Sequence, residues 1–592
     1  MSRAVDQAMG LLEGLVAAGA KWLVISPGSR NAPLALAAAR LDQAGRIRTW
    51  VRVDERSAGF GAVGLAMAGA GPVVLACTSG TAPANYHPAV LEAAHSHQPL
   101  VVVTADRPVE LHGVGANQTT DQTQLYARAV VASLPLEADQ PPTLWRQTGR
   151  RAATAALGLK SHQPGPVHIN AALRAPLTPE PDWFETPLAP DGPPHSTTVG
   201  GQPPGSTQGS TLLVGAEPVF GLPNGSNHLD LLLPGPIDRP AGANTSSQLL
   251  PVELNRGPNT LVVAGAGAGP AARLLAEAAG WPLLAEPESG SWGGANAVTA
   301  GRLLVTQPSL ADRIERLVVY GRPVLTRPIT ALVQRRDLTV VGVHPAGGQW
   351  FDQGHAAPRL VGAVTVAALA TTQEQAWLHT WQMAGQAAWR AVSAHLSQRT
   401  ITGPQVAAAV AAACADQPLV VAASNALRDL DLVPATGGSI YSLRGLSGID
   451  GTVAAASGLA LGLARPVTVL LGDLALLHDA GSLASGVHEP LVDLRLVVQN
   501  DHGGGIFEGL EVGQAHLRGA FERYFAAPQH LDLGALAQAF DLTHHAVDNL
   551  ADLTGVLAAP WHGRHLIEVH LDRVIRAQLE AEITAQAQGA LA

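Results

Sequence analysis

Short, unbroken apolar runs alternate with longer stretches of helical spacing along most of the chain. In the first third the runs are Trp22 to Ser26, Arg48 to Asp54, Pro72 to Thr78, Pro99 to Ala105 and Pro166 to Asn170, separated by Ala/Leu-rich segments at 31–40, 56–69 and 82–95. A run apolar on both faces predicts a buried parallel strand, and parallel strands need helical crossovers between them. The alternation returns at Thr260 to Ala264, Leu317 to Tyr320 and Leu338 to Val343, then at Leu419 to Ala422, Val467 to Leu471, Leu494 to Val498 and His565 to His570. The fold class is therefore α/β, with three doubly wound parallel-sheet domains. Residues 1–185 form the first and 186–211, rich in Pro, Gly and Ser, a linker; 212–372 form the central domain, loop-rich around Pro234 to Ser247. The third, 373–592, opens on a long helical stretch at about 373–397, and its element order repeats that of the first.

Composition narrows the classes. A chain of 592 residues exceeds a single core, and 47% apolar with 14% charged residues fits a globular protein. No apolar run reaches membrane-spanning length, and the N-terminus has neither a signal core nor a transit pattern. Two cysteines, Cys77 and Cys414, exclude a disulfide scaffold and a Cys-based metal site, so the expected location is cytoplasmic. A net charge of −10 argues against nucleic acid as a partner. With only Lys21 and Lys160 as lysines, any anion site must be built from arginine.

Chemistry concentrates at the ends of the predicted strands, where open α/β sheets bind ligands. Gly472-Asp473 ends one strand; Asn500, 27 positions later, ends the next and runs into His502-Gly-Gly-Gly505. A crossover helix at about Asp479 to Val487 would bring both to one sheet edge. Two hard oxygen ligands beside a glycine-rich turn suit Mg²⁺ bridging to a diphosphate. Glu55 ends another strand in Val53-Asp-Glu-Arg56. Ser26-Pro-Gly-Ser-Arg-Asn31 follows the first strand, with Ser29 and Arg30 at a helix N-terminus, a natural anion site. Arg107, Gln118, Ser424, Arg428 and Arg444 also fall at strand ends or on nearby loops. Arginine forks bind carboxylates in bidentate fashion, so the set points to polycarboxylate substrates. Gly265-Ala-Gly-Ala-Gly269 resembles a dinucleotide loop but lacks the full Gly-x-Gly-x-x-Gly spacing and reads as a helix-packing turn in a cofactor-free domain.

The Gly-Asp-to-Asn signature resembles that of thiamine-diphosphate enzymes. The segments Ser-Pro-Gly-Ser-Arg (26–30), Asp-Glu-Arg (54–56), Thr-Ser-Gly-Thr-Ala (78–82), Thr-Ala-Asp-Arg-Pro (104–108), Gly-Ala-Asn-Gln (115–118), Arg-Gly-Leu-Ser-Gly-Ile-Asp-Gly (444–451) and Gly-Gly-Gly-Ile-Phe (503–507) resemble one family in order. That family is 2-succinyl-5-enolpyruvyl-6-hydroxy-3-cyclohexene-1-carboxylate synthase, of menaquinone and phylloquinone biosynthesis. The resemblance is clear in both outer domains and weak between about 190 and 400. It implies thiamine diphosphate with Mg²⁺ or Mn²⁺, decarboxylation of 2-oxoglutarate, and addition of the four-carbon carbanion to isochorismate. It also implies a homodimer or homotetramer with active sites shared between subunits, and a pyrimidine-binding first domain with a diphosphate-binding third.

By position, Glu55 would activate the cofactor and Ile449 would prop it in its bent shape. Gly472 and Leu474 would flank Asp473 at the diphosphate, and Asp473, Asn500 and the His502 backbone carbonyl would hold the metal. Ser29, Arg30, Arg107, Gln118, Ser424, Arg428 and Arg444 would line the substrate pocket, with Phe507 and Leu510 as its apolar wall. Three departures stand out: Asp501-His502 where paired asparagines are common, Ala423 where Asn is usual, and no lysine in the central domain. The alternatives are an acetolactate-synthase-like carboligase and a nucleotide-binding oxidoreductase built around Gly265 to Gly269.

Overall fold

The computed structural model describes residues 2–188, 250–344, 352, 359–366 and 370–591; most of the expected linker and the segment Pro234 to Ser247 lie outside them. Three parallel sheets organise the chain. The first holds β1 (Trp22–Ile25), β2 (Arg48–Val51), β3 (Val73–Cys77), β4 (Leu100–Asp106), β5 (Ala132–Leu136) and β6 (Val167–Ala172), in the order β2-β1-β3-β4-β6-β5. After the short strand β7 (Pro251–Leu254), the central sheet takes β8 (Thr260–Ala264), β9 (Leu283–Ala285), β10 (Arg316–Tyr320), β11 (Thr339–Val343) and β12 (Arg359–Val361). A thirteenth strand, β13 (Ala363–Val366), pairs with β7. The third sheet holds β14 (Leu419–Val421), β15 (Ile440–Tyr441), β16 (Val467–Gly472), β17 (Leu494–Asn500), β18 (Thr543–Val547) and β19 (Arg564–His570), ordered β15-β14-β16-β17-β19-β18. Counted from its own first strand, the third sheet has the same strand order as the first.

Helices cover the sheet faces because the inner strands are apolar on both sides: Val73 to Cys77 and Leu496 to Val498 are all buried. The helix Thr372–Leu396 buries Trp377, Trp381, Ala388 and Val392 against the central strands and the C-terminal helix Arg576–Gly589. Its first turn is held by a capping box between Thr371 and Glu374. The first and third domains meet where the helix Glu55–Met67 crosses the helix Thr452–Leu463. Glycines permit that crossing: a Cβ on Gly64 would stand 1.9 Å from the Ala455 carbonyl oxygen, and one on Gly458 2.0 Å from that of Gly61.

One expected element is displaced. The helix after β16 spans Asp473–His478 and is followed by a 3₁₀ turn at Ala480–Leu483, not by a helix from Asp479 to Val487. Asp479 resembles a helix N-cap in sequence, but its carboxylate caps a different helix. It accepts hydrogen bonds from the backbone N–H of Val453 (2.7 Å) and Ala454 (3.0 Å), at the start of Thr452–Leu463.

Candidate active site

Strand order reverses between β1 and β3 in the first sheet and between β14 and β16 in the third. Reversals of this kind open a crevice at the carboxyl ends of the strands. In the third sheet the crevice is a cavity of about 190 Å³, lined by Thr402, Gly403, Ser424, Ile449, Gly472, Asp473, Leu474, Gly503 to Gly505 and Phe507, among others. Asp473 begins its helix directly at the end of β16 and is buried, accepting backbone hydrogen bonds from Leu474 and Gly503. Burial raises its pKa above the ordinary carboxylate value, and these hydrogen bonds and nearby His502 act in the opposite direction. Asp501, on the same cavity wall, is pushed up to about 7, first by burial and then by the charge of Asp473.

Two carboxyl groups drawn together out of water make a place that favours a cation. Asn500 lies beside them at the end of β17, and its Oδ1 accepts the His502 N–H at 3.2 Å across a turn in which His502 takes φ 54°. The donors are hard oxygens, as Mg²⁺ requires, and the glycine-lined wall leaves room for a phosphate-bearing ligand to supply the rest. Among the described residues no cluster of three or more His, Cys, Asp or Glu could hold a metal by itself.

A second group assembles at the edge of the first sheet. Arg107 is buried just past β4; one terminal nitrogen donates to the Ser79 hydroxyl and to the Gln118 carbonyl (2.6 Å). The Gln118 amide returns a hydrogen bond to the Ser79 carbonyl (2.8 Å). Arg30 donates to the Leu173 carbonyl at 2.8 Å, and its pKa is lowered, first by burial and then by Arg107. Ser29 is exposed at the head of the following helix. On the third domain, Arg428 is likewise lowered by burial and then by Arg444, Arg302 and Arg576. Carboxylates offset part of this charge, Asp106 near Arg30 and Asp429, Asp431 and Glu580 near Arg428, and both guanidinium groups stay partly exposed, where an anion can reach them.

The loop carrying Arg444 and Ile449 is held from three sides. Glu92, buried on a helix of the first domain, accepts from the backbone N–H of Gly445 (2.7 Å) and Leu446 (2.8 Å). Arg322 of the central domain donates to the Arg444 carbonyl at 2.8 Å, and the Arg444 guanidinium lies 2.9 Å from buried Glu288. Glu92, Glu288, Arg322 and Ser79 were not among the candidates. Glu92 had a legible signal, a lone carboxylate in the apolar pattern His87 to His95, and Ser79 lies in the Thr-Ser-Gly-Thr-Ala segment (78–82); Glu288 and Arg322 had none. Gly265 closes onto the central-domain chain: its N–H donates to the Tyr320 carbonyl at 2.9 Å, and an added Cβ would stand 2.1 Å from the Pro323 nitrogen.

Ser424, Ile449, Gly472, Asp473, Leu474 and Phe507 thus share one cavity, with Asn500 and His502 on the adjoining turn. Leu510 is half-buried just after the 3₁₀ turn Gly505–Gly509. Ser29, Arg30, Arg107 and Gln118 belong to the first sheet's edge and do not line that cavity. Nor does Glu55, half-buried at the head of Glu55–Met67, where its charge is felt by buried Cys77. Val53, two residues earlier, is 84% exposed.

Comparison with known proteins fits this geometry. Residues 6–125 match the family described as thiamine pyrophosphate enzyme, N-terminal TPP binding domain. A curated 2-succinyl-5-enolpyruvyl-6-hydroxy-3-cyclohexene-1-carboxylate synthase from Kineococcus radiotolerans is 44% identical, over 98% of each chain. One of the same name from Nocardioides sp. is 40% identical, again over 98% of both. The chain belongs to this synthase family. It is a thiamine-diphosphate-dependent enzyme of the transferase kind. The benzoylformate decarboxylase structure from Polynucleobacter necessarius superposes with a TM-score of 0.60 over 97% of this chain and 99% of that one, at 16% identity, a likeness of fold. Among the described residues no helix is long and apolar enough to cross a membrane.

Proposed function

We propose that the chain decarboxylates 2-oxoglutarate and joins the remaining four-carbon unit to isochorismate, releasing CO₂, as a step of menaquinone biosynthesis in the cytoplasm. The observation that carries this reading is an acidic, glycine-lined cavity in the third domain together with half-buried arginines, Arg30 and Arg428, whose charge is opposed by burial and by neighbouring guanidinium groups. Asp473, Asn500 and the His502 carbonyl would hold Mg²⁺, and Gly472 and Leu474 would lie beside the diphosphate of thiamine diphosphate. Ile449 supports the cofactor from the loop held by Glu92. When bound, the cofactor serves as the electron sink for carbon–carbon cleavage and ligation.

The protein's own groups supply position and charge. The Glu55 carboxyl would face the cofactor's pyrimidine ring and hydrogen-bond to it. Ser29, Arg30, Arg107, Gln118, Ser424, Arg428 and Arg444 bind the substrate carboxylates and hydroxyls, orienting the two carbon skeletons and excluding water. Phe507 and Leu510 close the apolar side. Glu55 lies outside the cavity of its own chain and near exposed Val53, which supports a reading in which a second copy supplies it. A homodimer is the smallest assembly that does so, and a tetramer repeats the arrangement. The first domain (1–185) then serves the pyrimidine end and the third (373–592) the diphosphate end, the central domain (212–372) binding no cofactor.

The deciding experiment is a turnover assay with both substrates, with and without thiamine diphosphate and Mg²⁺. CO₂ release and ligation should depend on both additions and on 2-oxoglutarate. Equal turnover with pyruvate in its place would assign the chain to another carboligase chemistry.

A further inference from the structure

Asn500 can serve a cation only through its amide oxygen, yet an asparagine amide is nearly symmetric in shape and turns either end outward. Something must choose the end. In the parallel ladder between β17 and β19, Asn500 stands opposite His570, so Glu568, two residues earlier, projects from the same sheet face as a diagonal neighbour. The Asn500 Nδ2 donates to Glu568 Oε1 at 2.6 Å. A carboxylate accepts and does not donate, so this contact admits only the nitrogen. On the other side the His502 N–H donates to Asn500 Oδ1 at 3.2 Å, which admits only the oxygen. The two contacts agree on one orientation.

Glu568 is itself held. Its Oε1 meets His570 Nε2 at 3.1 Å and its Oε2 meets His544 Nε2 at 3.0 Å, while His570 Nδ1 meets Asp548 at 2.6 Å. The Glu568 side chain is 10% exposed, and its hydrogen bonds to Asn500, His544 and His570 hold it in place.

We propose that Glu568 is a positioning residue for the metal site: it fixes the Asn500 amide with its oxygen toward the divalent cation. This rests on the reading of Asn500 as a metal ligand. Partners of this kind behind a ligand are worth about tenfold to a hundredfold in metal affinity. The test measures Mn²⁺ binding by electron paramagnetic resonance of the intact protein with saturating thiamine diphosphate, without substrate.

Glu568→Leu, which removes the acceptor, should weaken Mn²⁺ by about tenfold or more. Glu568→Gln keeps an oxygen facing the Asn500 Nδ2 and should stay within about threefold of the unmodified protein. Glu568→Asp withdraws the carboxylate by one methylene and should fall between them, so the Asp/Gln difference decides the matter if the leucine variant does not fold. Folded variants that all bind Mn²⁺ as the unmodified protein does would overturn the proposal, as would a loss in Glu568→Gln equal to that in Glu568→Leu. An unmodified protein that takes up no Mn²⁺ with the cofactor, or Asn500→Ala binding it normally, would overturn the underlying metal site instead.

Discussion

Arg30 and Arg428 are half-buried beside other guanidinium groups, so burial and those neighbours both oppose their charge. Such residues are retained at a cost to stability where an anion needs them. Arg428→Gln should therefore lower kcat/KM for 2-oxoglutarate by tenfold or more while the Tm stays level or rises; a fall in Tm with unchanged kinetics would make the residue structural. Glu55→Gln belongs with it: cofactor affinity measured by titration should persist while turnover is suppressed. Asp473→Ala should instead lose metal-dependent cofactor affinity first. These residue types were readable in the sequence because function placed charges at the ends of apolar strands. Glu288 and Arg322 were not, because their role comes from meeting the Arg444 loop across domains, and no local pattern encodes that meeting.

At the scale of elements, the strands missed by pattern were the sheet margins. β5, β9, β12, β15 and β18 are each the last strand on one side of a sheet. β5 and β18 are half exposed, so they tolerate Pro135 and His544-His545 and lose the continuous apolar run that marks a central strand, whereas β9 is mostly buried but only three residues long. Two elements carry sharper consequences. Gly64→Ala forces a methyl into the Ala455 carbonyl at the helix crossing, and backbone cannot yield as a side chain can. The cost should be about 1–3 kcal/mol or more, read as a lowered Tm.

His168 joins β6 to β4 through the Thr104 hydroxyl at 2.8 Å, and burial lowers its pKa to about 4. A base depressed in the folded state contributes stability above its unfolded pKa, about 6.5, and loses that contribution as pH falls through about 4. The Tm of the unmodified protein should decline over that window, and His168→Gln should flatten the decline.

For the molecule as a whole, the proposed reading, in which a second copy supplies Glu55 to the cavity, makes catalysis a property of the assembly. Glu55→Gln and Asp473→Ala proteins, each inactive alone, should recover activity when co-expressed. In a mixed dimer one site carries both changes and the other carries neither, so random pairing restores about a quarter of full activity. No recovery would place each site within one chain. The repeated strand order of the outer sheets was foreseeable from element order, since crossovers leave a rhythm in hydrophobicity. Their docking was not, because Gly64 and Gly458 look in sequence like unremarkable residues of small-residue helices.

The junction at Asp473 has a further consequence, for the tolerance of the chain to changes of length. β16 ends at Gly472 and the helix begins at Asp473 with no residue between them. An inserted residue there would rotate the carboxylate by about 100° around the helix axis, carrying it off the cavity wall. The stretch from Ala484 to Asp493 forms no helix or strand and can take up slack before β17. Insertions should therefore be accepted near Val487, which is 93% exposed, and rejected at Gly472. The spacing of 27 between Asp473 and Asn500 is thus a habit of the loop, whereas the seamless join at its start is the constraint.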